Sequence, residues 1–278
     1  MGLSFIFCCI SNKRVASDHA EPATPKAAHA HAPDAGASSA ARTPALFDAY
    51  ADPDDPAVIG PEGFERLCGD AGVSLEGALP LILAWQLNAK EMAKISRDEW
   101  DAGLSDLQTP DLQMLSLALH ELEDLLLMNK PPVKPSDGTS AASKKKSAVP
   151  VASYNRTKYF KYATSVDKAF LELYMFCFAL AKPPQARNID METACAFWTV
   201  LVVPKYPLMS DILEFISEKG TYKGVNKDLW SMTLEFCMTV NADLSNYDAD
   251  GAWPSMLDDF VAWKKSKAAS GDAPVTVD

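Results

Sequence analysis

Apolar positions recur at helical spacing along most of the chain. From Leu79 to Ile95 the apolar residues are Leu79, Leu81, Ile82, Leu83, Trp85, Leu87 and Met92, which predicts a helix with a wide buried face. Ser96 and Glu99 follow as a Ser-x-x-Glu capping box, with Ile95 and Trp100 at the two staple positions. Thr109-Pro110 is expected to open the next helix, with proline at its first position and an apolar face of Leu112, Leu115, Leu119, Leu122 and Leu126. Val166 to Leu180 is apolar and aromatic and ends before Pro183-Pro184. Asp190 caps a run to Val203, stopped by Pro204. Leu208 to Lys219 stops at Gly220, Asn226 caps a run to Val240, and Pro254 opens a last helix to about Lys265. No stretch alternates at strand spacing. The predicted class is all-α, in two helical halves.

Two stretches lack this pattern. Residues 11–43 are rich in Ala, Pro, Ser and His, with too few large apolar side chains to offset the entropy of ordering. Residues 130–153 hold Pro131-Pro132, Pro135-Ser136-Asp137-Gly138 and Lys144-Lys145-Lys146. The expected organisation is a flexible tether over 1–43, a folded domain over 44–266 with a disordered insert at 130–153, and a flexible tail over 267–278. The insert reads as a solvated loop; a phosphate- or membrane-touching loop is the alternative.

Charge narrows the partners. Net charge is −11 over 278 residues, which opposes nucleic-acid binding through bulk charge and suits a basic protein. Six cysteines show no CxxC spacing; Cys177, Cys195 and Cys237 sit in apolar runs and read as buried thiols of a reducing compartment, cytoplasmic or nuclear. No run approaches the ~18 apolar residues that a membrane span needs. The apolar start lacks a preceding basic region, so it does not read as a secretory signal. Gly2 is a candidate for myristoylation, with Ile6 where Ser or Thr is preferred, and Cys8 and Cys9 are candidates for palmitoylation beside Lys13-Arg14. Membrane association through this segment is one expectation; an unstructured tail is the other.

Most chemical motifs fail on inspection. A stretch from Asp52 resembles a calcium loop, but Ala57 stands where the turn wants Gly, and Gly63 where a bidentate Glu belongs. A second stretch from Asn246 has Asp248, Asp250 and Gly251 in place, and Leu257 instead of the Glu. These read as helix-loop-helix units without the ion. His120 is the one histidine in a folded segment and has no ligand partner at zinc spacing. No nucleophile-and-base set, phosphate loop or dinucleotide fingerprint is present, so neither a catalytic role nor a cofactor is expected.

One segment keeps its interest. From Asn241 to Phe260 the charged residues are Asp243, Asp248, Asp250, Asp258 and Asp259, with Ala252 and Trp253 among them and Asp228 in the first turn of the preceding helix. Carboxylates flanking a small residue suit a basic partner. The rival account is a helix-dipole acid at Asp228, a solvated helix face at Asp258 and Asp259, and a core Trp253.

The pattern Asn246-Tyr247-Asp248-x-x-Gly251-Ala252-Trp253-Pro254-x-x-x-Asp258-Asp259-Phe260-Val261 resembles the defective-in-cullin-neddylation family, in its DCUN or potentiating-neddylation domain. Leu46-Phe47-x-x-Tyr50, Ala84-Trp85 before Ala89, Asp190-x-Glu192-x-Ala194-x-x-x-Trp198, and Asp228-x-Trp230 before Leu234-x-Phe236 match in the same order. The resemblance covers about Leu46 to Lys265 without the insert. It implies two EF-hand-like halves without calcium, and a non-catalytic co-ligase that holds a cullin and its conjugating enzyme together. By that resemblance the cullin site falls on Asp228, Ala252 and Asp258. An apolar pocket for the acetylated N-terminal Met of the neddylation conjugating enzyme falls on Leu180, Phe197, Val200 and Thr109, each of which core packing would also explain. The implied partners are a cullin, the conjugating enzyme and the cullin-associated RING subunit. The alternative function is a membrane-anchored adaptor that sequesters cullins or another basic partner.

Overall fold

The structure, a computed structural model, describes residues 39–109, 111–134 and 154–271. Gly2, Cys8 and Cys9, most of the expected tether, Pro110, the Lys144–Lys146 run and the end of the expected tail lie outside these residues.

The first half contains α1 (Ser39–Tyr50), β1 (Val58–Ile59), α2 (Pro61–Asp70), α3 (Leu79–Gln86), β2 (Ile95–Ser96), α4 (Arg97–Leu107) and α5 (Leu112–Leu126). The second contains α6 (Thr157–Ala163), α7 (Val166–Ala181), β3 (Asn188–Asp190), α8 (Met191–Leu201), α9 (Leu208–Lys219), β4 (Gly224–Asn226), α10 (Lys227–Thr239) and α11 (Ser255–Gly271). The all-α expectation holds. Each half also clasps two loops through a short antiparallel ladder: Ile59 faces Ile95 in the first, and Ile189 faces Val225 in the second. Strands of two or three residues are too short to show alternation, so the hydropathy pattern did not reveal them. The second ladder joins the loop before α8 to the loop before α10. The stretch from Asn246, the other loop that resembled a calcium site, connects α10 to α11 outside both ladders.

Caps place the functional helices. Ser96 accepts from the Glu99 amide while Glu99 reaches back to the Ser96 amide, completing the capping box of α4. Asp190 caps α8 through the Thr193 amide, and Asn226 caps α10 through the Leu229 amide at 2.7 Å each. Gly220 ends α9 with φ of 61°, a conformation glycine adopts without a Cβ penalty.

Four expected boundaries shift. The helix from Leu79 ends at Gln86 instead of Ile95, because Asn88 and Ala93 take positive φ and turn the chain into β2. The next helix is capped by Asp111, which accepts from the Met114 amide, and starts at Leu112 rather than at Pro110. The last helix continues beyond Lys265 to Gly271, and the first begins at Ser39, inside the segment expected as tether.

A single apolar core runs from Phe47 to Val261, with α3 and α5 of the first half packed on α7 of the second. Trp85 also stacks on Tyr162 across the halves, with ring centroids 4.8 Å apart. Gly63, where the calcium loop would need Glu, lies against α1: a Cβ there would sit 2.0 Å from the Tyr50 carbonyl oxygen. Close helix approach explains the residue that ligand chemistry left unexplained.

A polar clamp holds Tyr154 and Arg156 against α5. Arg156 donates two hydrogen bonds to Glu121 of α5, at 2.8 and 2.7 Å, and the Tyr154 hydroxyl donates to the same carboxylate at 2.5 Å. Burial pushes the Glu121 carboxyl up, and the bonds from Arg156 and Tyr154 outweigh it, so its pKa lies below the usual value. A depressed folded-state pKa contributes stability above the unfolded-state pKa and loses it as pH falls through the folded value. Glu121→Gln is therefore expected to cost about 1–3 kcal/mol at neutral pH, and less under acid conditions where the parent carboxyl is itself protonated. Denaturant unfolding over a pH series downward from 7 measures this; a cost that does not shrink as pH falls contradicts it.

Candidate acidic docking site

Asp228 lies in the first turn of α10, Ala252 in the turn before α11, and Asp258 in the first turn of α11. All three are exposed. The elements that carry them pack together: Phe236 of α10 meets Trp253 edge-on at 5.1 Å and Phe260 of α11 at 6.0 Å. Trp253 is half-buried, so it joins the core on one side and borders Ala252 on the other. Phe260 and Trp263 also pack on Phe215 of α9. Charged contacts reinforce that seat. Lys264 pairs with Asp211, and Lys267 with Glu214 and Glu218 at 2.6 and 2.9 Å.

Two tyrosines add contacts that the linear pattern did not signal. The Tyr247 hydroxyl donates to Asp258 Oδ1 at 2.6 Å, and the Tyr222 hydroxyl donates to Asp259 Oδ2 at 2.8 Å. Tyr247 stands inside the Asn-Tyr-Asp motif, so a signal existed for it; Tyr222 had none. The remaining acids serve the loop itself. Asp248 accepts from the Asp250 amide and Asp243 from the Ser245 amide, each at 3.0 Å. The backbone and side-chain bonds of Ser245 hold the Asp243 carboxyl below its ordinary pKa.

The residues expected to form the apolar pocket differ in exposure. Phe197 is fully buried on α8, Leu180 is buried on α7, and Val200 of α8 is half-buried. Helices α7 and α8 pack on each other, and α5 packs on α7. Thr109 lies before α5, 3% exposed, and its hydroxyl has no hydrogen-bond partner among the described residues.

Cys195 is half-buried rather than buried, whereas Cys68, Cys177 and Cys237 are buried. Burial pushes the Cys68 and Cys237 thiols up to about 12, far from nucleophilic thiolate character. Among the described residues no helix is long and apolar enough to cross a membrane.

Residues 154–263 match the family model described as cullin binding. The chain is also 33% identical to DCN1-like protein 5 of Bos taurus over 81% of its own length and 78% of that protein's. It is 34% identical to DCN1-like protein 4 of Danio rerio (85% and 70%), and 33% identical to DCN1-like protein 4 of Drosophila melanogaster (80% and 74%). The chain belongs to the DCN1-like family of proteins with a cullin-binding domain.

Proposed function

We propose that this protein is a non-catalytic scaffold that promotes cullin neddylation by holding a cullin and the charged conjugating enzyme together. Asp228, Ala252 and Asp258 receive basic residues of the cullin. The apolar residues Leu180, Phe197 and Val200, with Thr109, receive the acetylated N-terminal Met of the conjugating enzyme. The RING subunit bound to the cullin completes the assembly. The contribution to rate is proximity: two partners held in one geometry react as if intramolecular, with no group of the scaffold entering the chemistry.

What supports this reading is the exposure of all three residues, Asp228 in the first turn of α10, Ala252 just before α11 and Asp258 in the first turn of α11, in a chain of this family.

Reconstituted cullin modification, run with and without the protein at sub-saturating conjugating enzyme, tests the reading. The initial rate is expected to rise at least tenfold, a modest share of what orientation can supply. Acceleration should also fall at high scaffold concentration, where separate copies hold cullin and enzyme apart. An unchanged rate at every concentration would remove the proposal.

A further inference from the structure

Asp258 and Asp259 stand side by side in the first turns of α11, and each carboxylate accepts a hydrogen bond from a tyrosine on a different loop. Tyr247 lies in the connection from α10 to α11. Tyr222 lies in the connection from α9 to β4, just ahead of the turn that carries Asp228. The two loops leave opposite ends of α10. Their hydroxyls therefore tie the start of α11 to both flanks of the helix that carries the third acid.

We infer that Tyr247 and Tyr222 are positioning residues for the docking surface, fixing the Asp258 and Asp259 carboxylates in one arrangement before the partner arrives. This inference rests on the reading of the acidic surface proposed above. An exposed aspartate samples several rotamers, and ordering it during association costs affinity. A rigid donor removes that cost in advance. Both donors are rigid, because both rings are seated in the fold: Tyr247 packs edge-on to Phe236 at 6.3 Å, and Tyr222 packs on Phe215 at 5.7 Å. The Lys265 ammonium lies 5.4 Å from the centroid of the Tyr247 ring. An O–H donor to an ionised carboxylate at 2.6 Å is a charge-assisted bond, shorter and stronger than a neutral one.

Both hydroxyls also persist as donors. Burial first, and the adjacent carboxylate second, push each phenol up to about 12, so neither ionises near neutral pH. The ring packing by itself does not require the oxygen. Phenylalanine would fill the same space at either position, and the hydroxyl's hydrogen bond in each case is to the carboxylate.

A double-mutant cycle on the full chain, read as affinity for a purified cullin, separates positioning from packing. Tyr247→Phe is expected to weaken binding roughly five- to tenfold, the scale of one oriented charged contact. Its melting temperature should stay within about 2 °C of the parent, as for a surface change. Tyr222→Phe is the second variant and should act in the same direction through Asp259. In an Asp258→Asn background, Tyr247→Phe should change affinity by less than about twofold, because the carboxylate it orients has gone. If Asp258→Asn weakens binding while Tyr247→Phe and Tyr222→Phe bind like the parent, the positioning role is wrong and the docking surface stands. A full loss from Tyr247→Phe in the Asp258→Asn background would assign the tyrosine a packing or direct role and equally overturn positioning. If Asp258→Asn itself binds like the parent, the docking surface is wrong and positioning falls with it.

Discussion

Trp230→Ala is expected to destabilise the fold by about 4 kcal/mol or more, a large share of the roughly 5–15 kcal/mol that holds a domain together. Trp230 is fully buried on α10, two residues after Asp228. Its indole stacks on two other rings. Tyr174 of α7 lies 4.3 Å away at 13° and Trp198 of α8 lies 5.4 Å away at 15°. The polar atoms of the three close a network: Trp230 Nε1 donates to the Tyr174 carbonyl, the Tyr174 hydroxyl to the Trp230 carbonyl, and Trp198 Nε1 to the Tyr174 hydroxyl. Alanine would leave a cavity where α7, α8 and α10 meet, and both neighbouring rings would lose a stacking partner. The usual cost of a buried Trp truncation is about 3–5 kcal/mol, and a closed network raises it because its members depend on one another.

Trp230→Phe is the informative control. It keeps an aromatic ring and loses the Nε1 donor, so a cost of about 1–3 kcal/mol is expected. Equilibrium unfolding in urea measures both variants. A Trp230→Ala loss below about 1.5 kcal/mol would mean that the site collapses around the missing ring, and that the stack does not hold α10 in place. The functional consequence follows from position. Asp228 stands on the helix that this stack seats, so partner binding should weaken in proportion to the folded fraction, and a stabilising osmolyte should restore part of it.

Local chemistry made much of this architecture legible. Asp190, Asn226, Ser96 and Gly220 each cap or stop a helix by bonds made within a few residues, so a linear pattern contains the whole cause. The helix from Leu79 is shorter than its apolar periodicity, which continues through Met92, because the stop comes from the left-handed Asn88, which periodicity does not encode. Asp111 outcompeted Thr109-Pro110 as the start of α5, since its carboxylate reaches the Met114 amide. In the acidic segment, separation along the chain sets the limit. The acids are visible in the sequence as a cluster, whereas Trp253 fits either core or contact there; the structure makes it half-buried against Phe236. The Tyr222–Asp259 bond joins residues 37 positions apart and has no local signature.

Asp258→Lys is expected to abolish cullin binding, at least a hundredfold in affinity, while leaving the fold intact. The carboxylate is exposed, so the longer side chain meets no core. Two small costs arise. A cation in the first turn of α11 opposes the helix dipole by about 0.3–1 kcal/mol, and the Tyr247 hydroxyl loses its acceptor and turns to water. Neither approaches the stability of a domain with a core this extensive. At the proposed docking surface the effect has another scale. An attraction becomes a like-charge contact with a basic partner, worth several kcal/mol, and ~3 kcal/mol already corresponds to a factor above one hundred. The loss should appear mainly as faster dissociation if Asp258 is desolvated at the interface, and mainly as slower, salt-dependent association if it lies at the rim. Calorimetric titration with a purified cullin, beside a far-ultraviolet circular dichroism spectrum and a melting curve of the variant, checks both halves of the expectation. Binding within threefold of the parent, with unchanged helicity, would remove Asp258 from the interface. Lost binding with lost helicity would instead assign the residue to the fold, against what its exposure indicates.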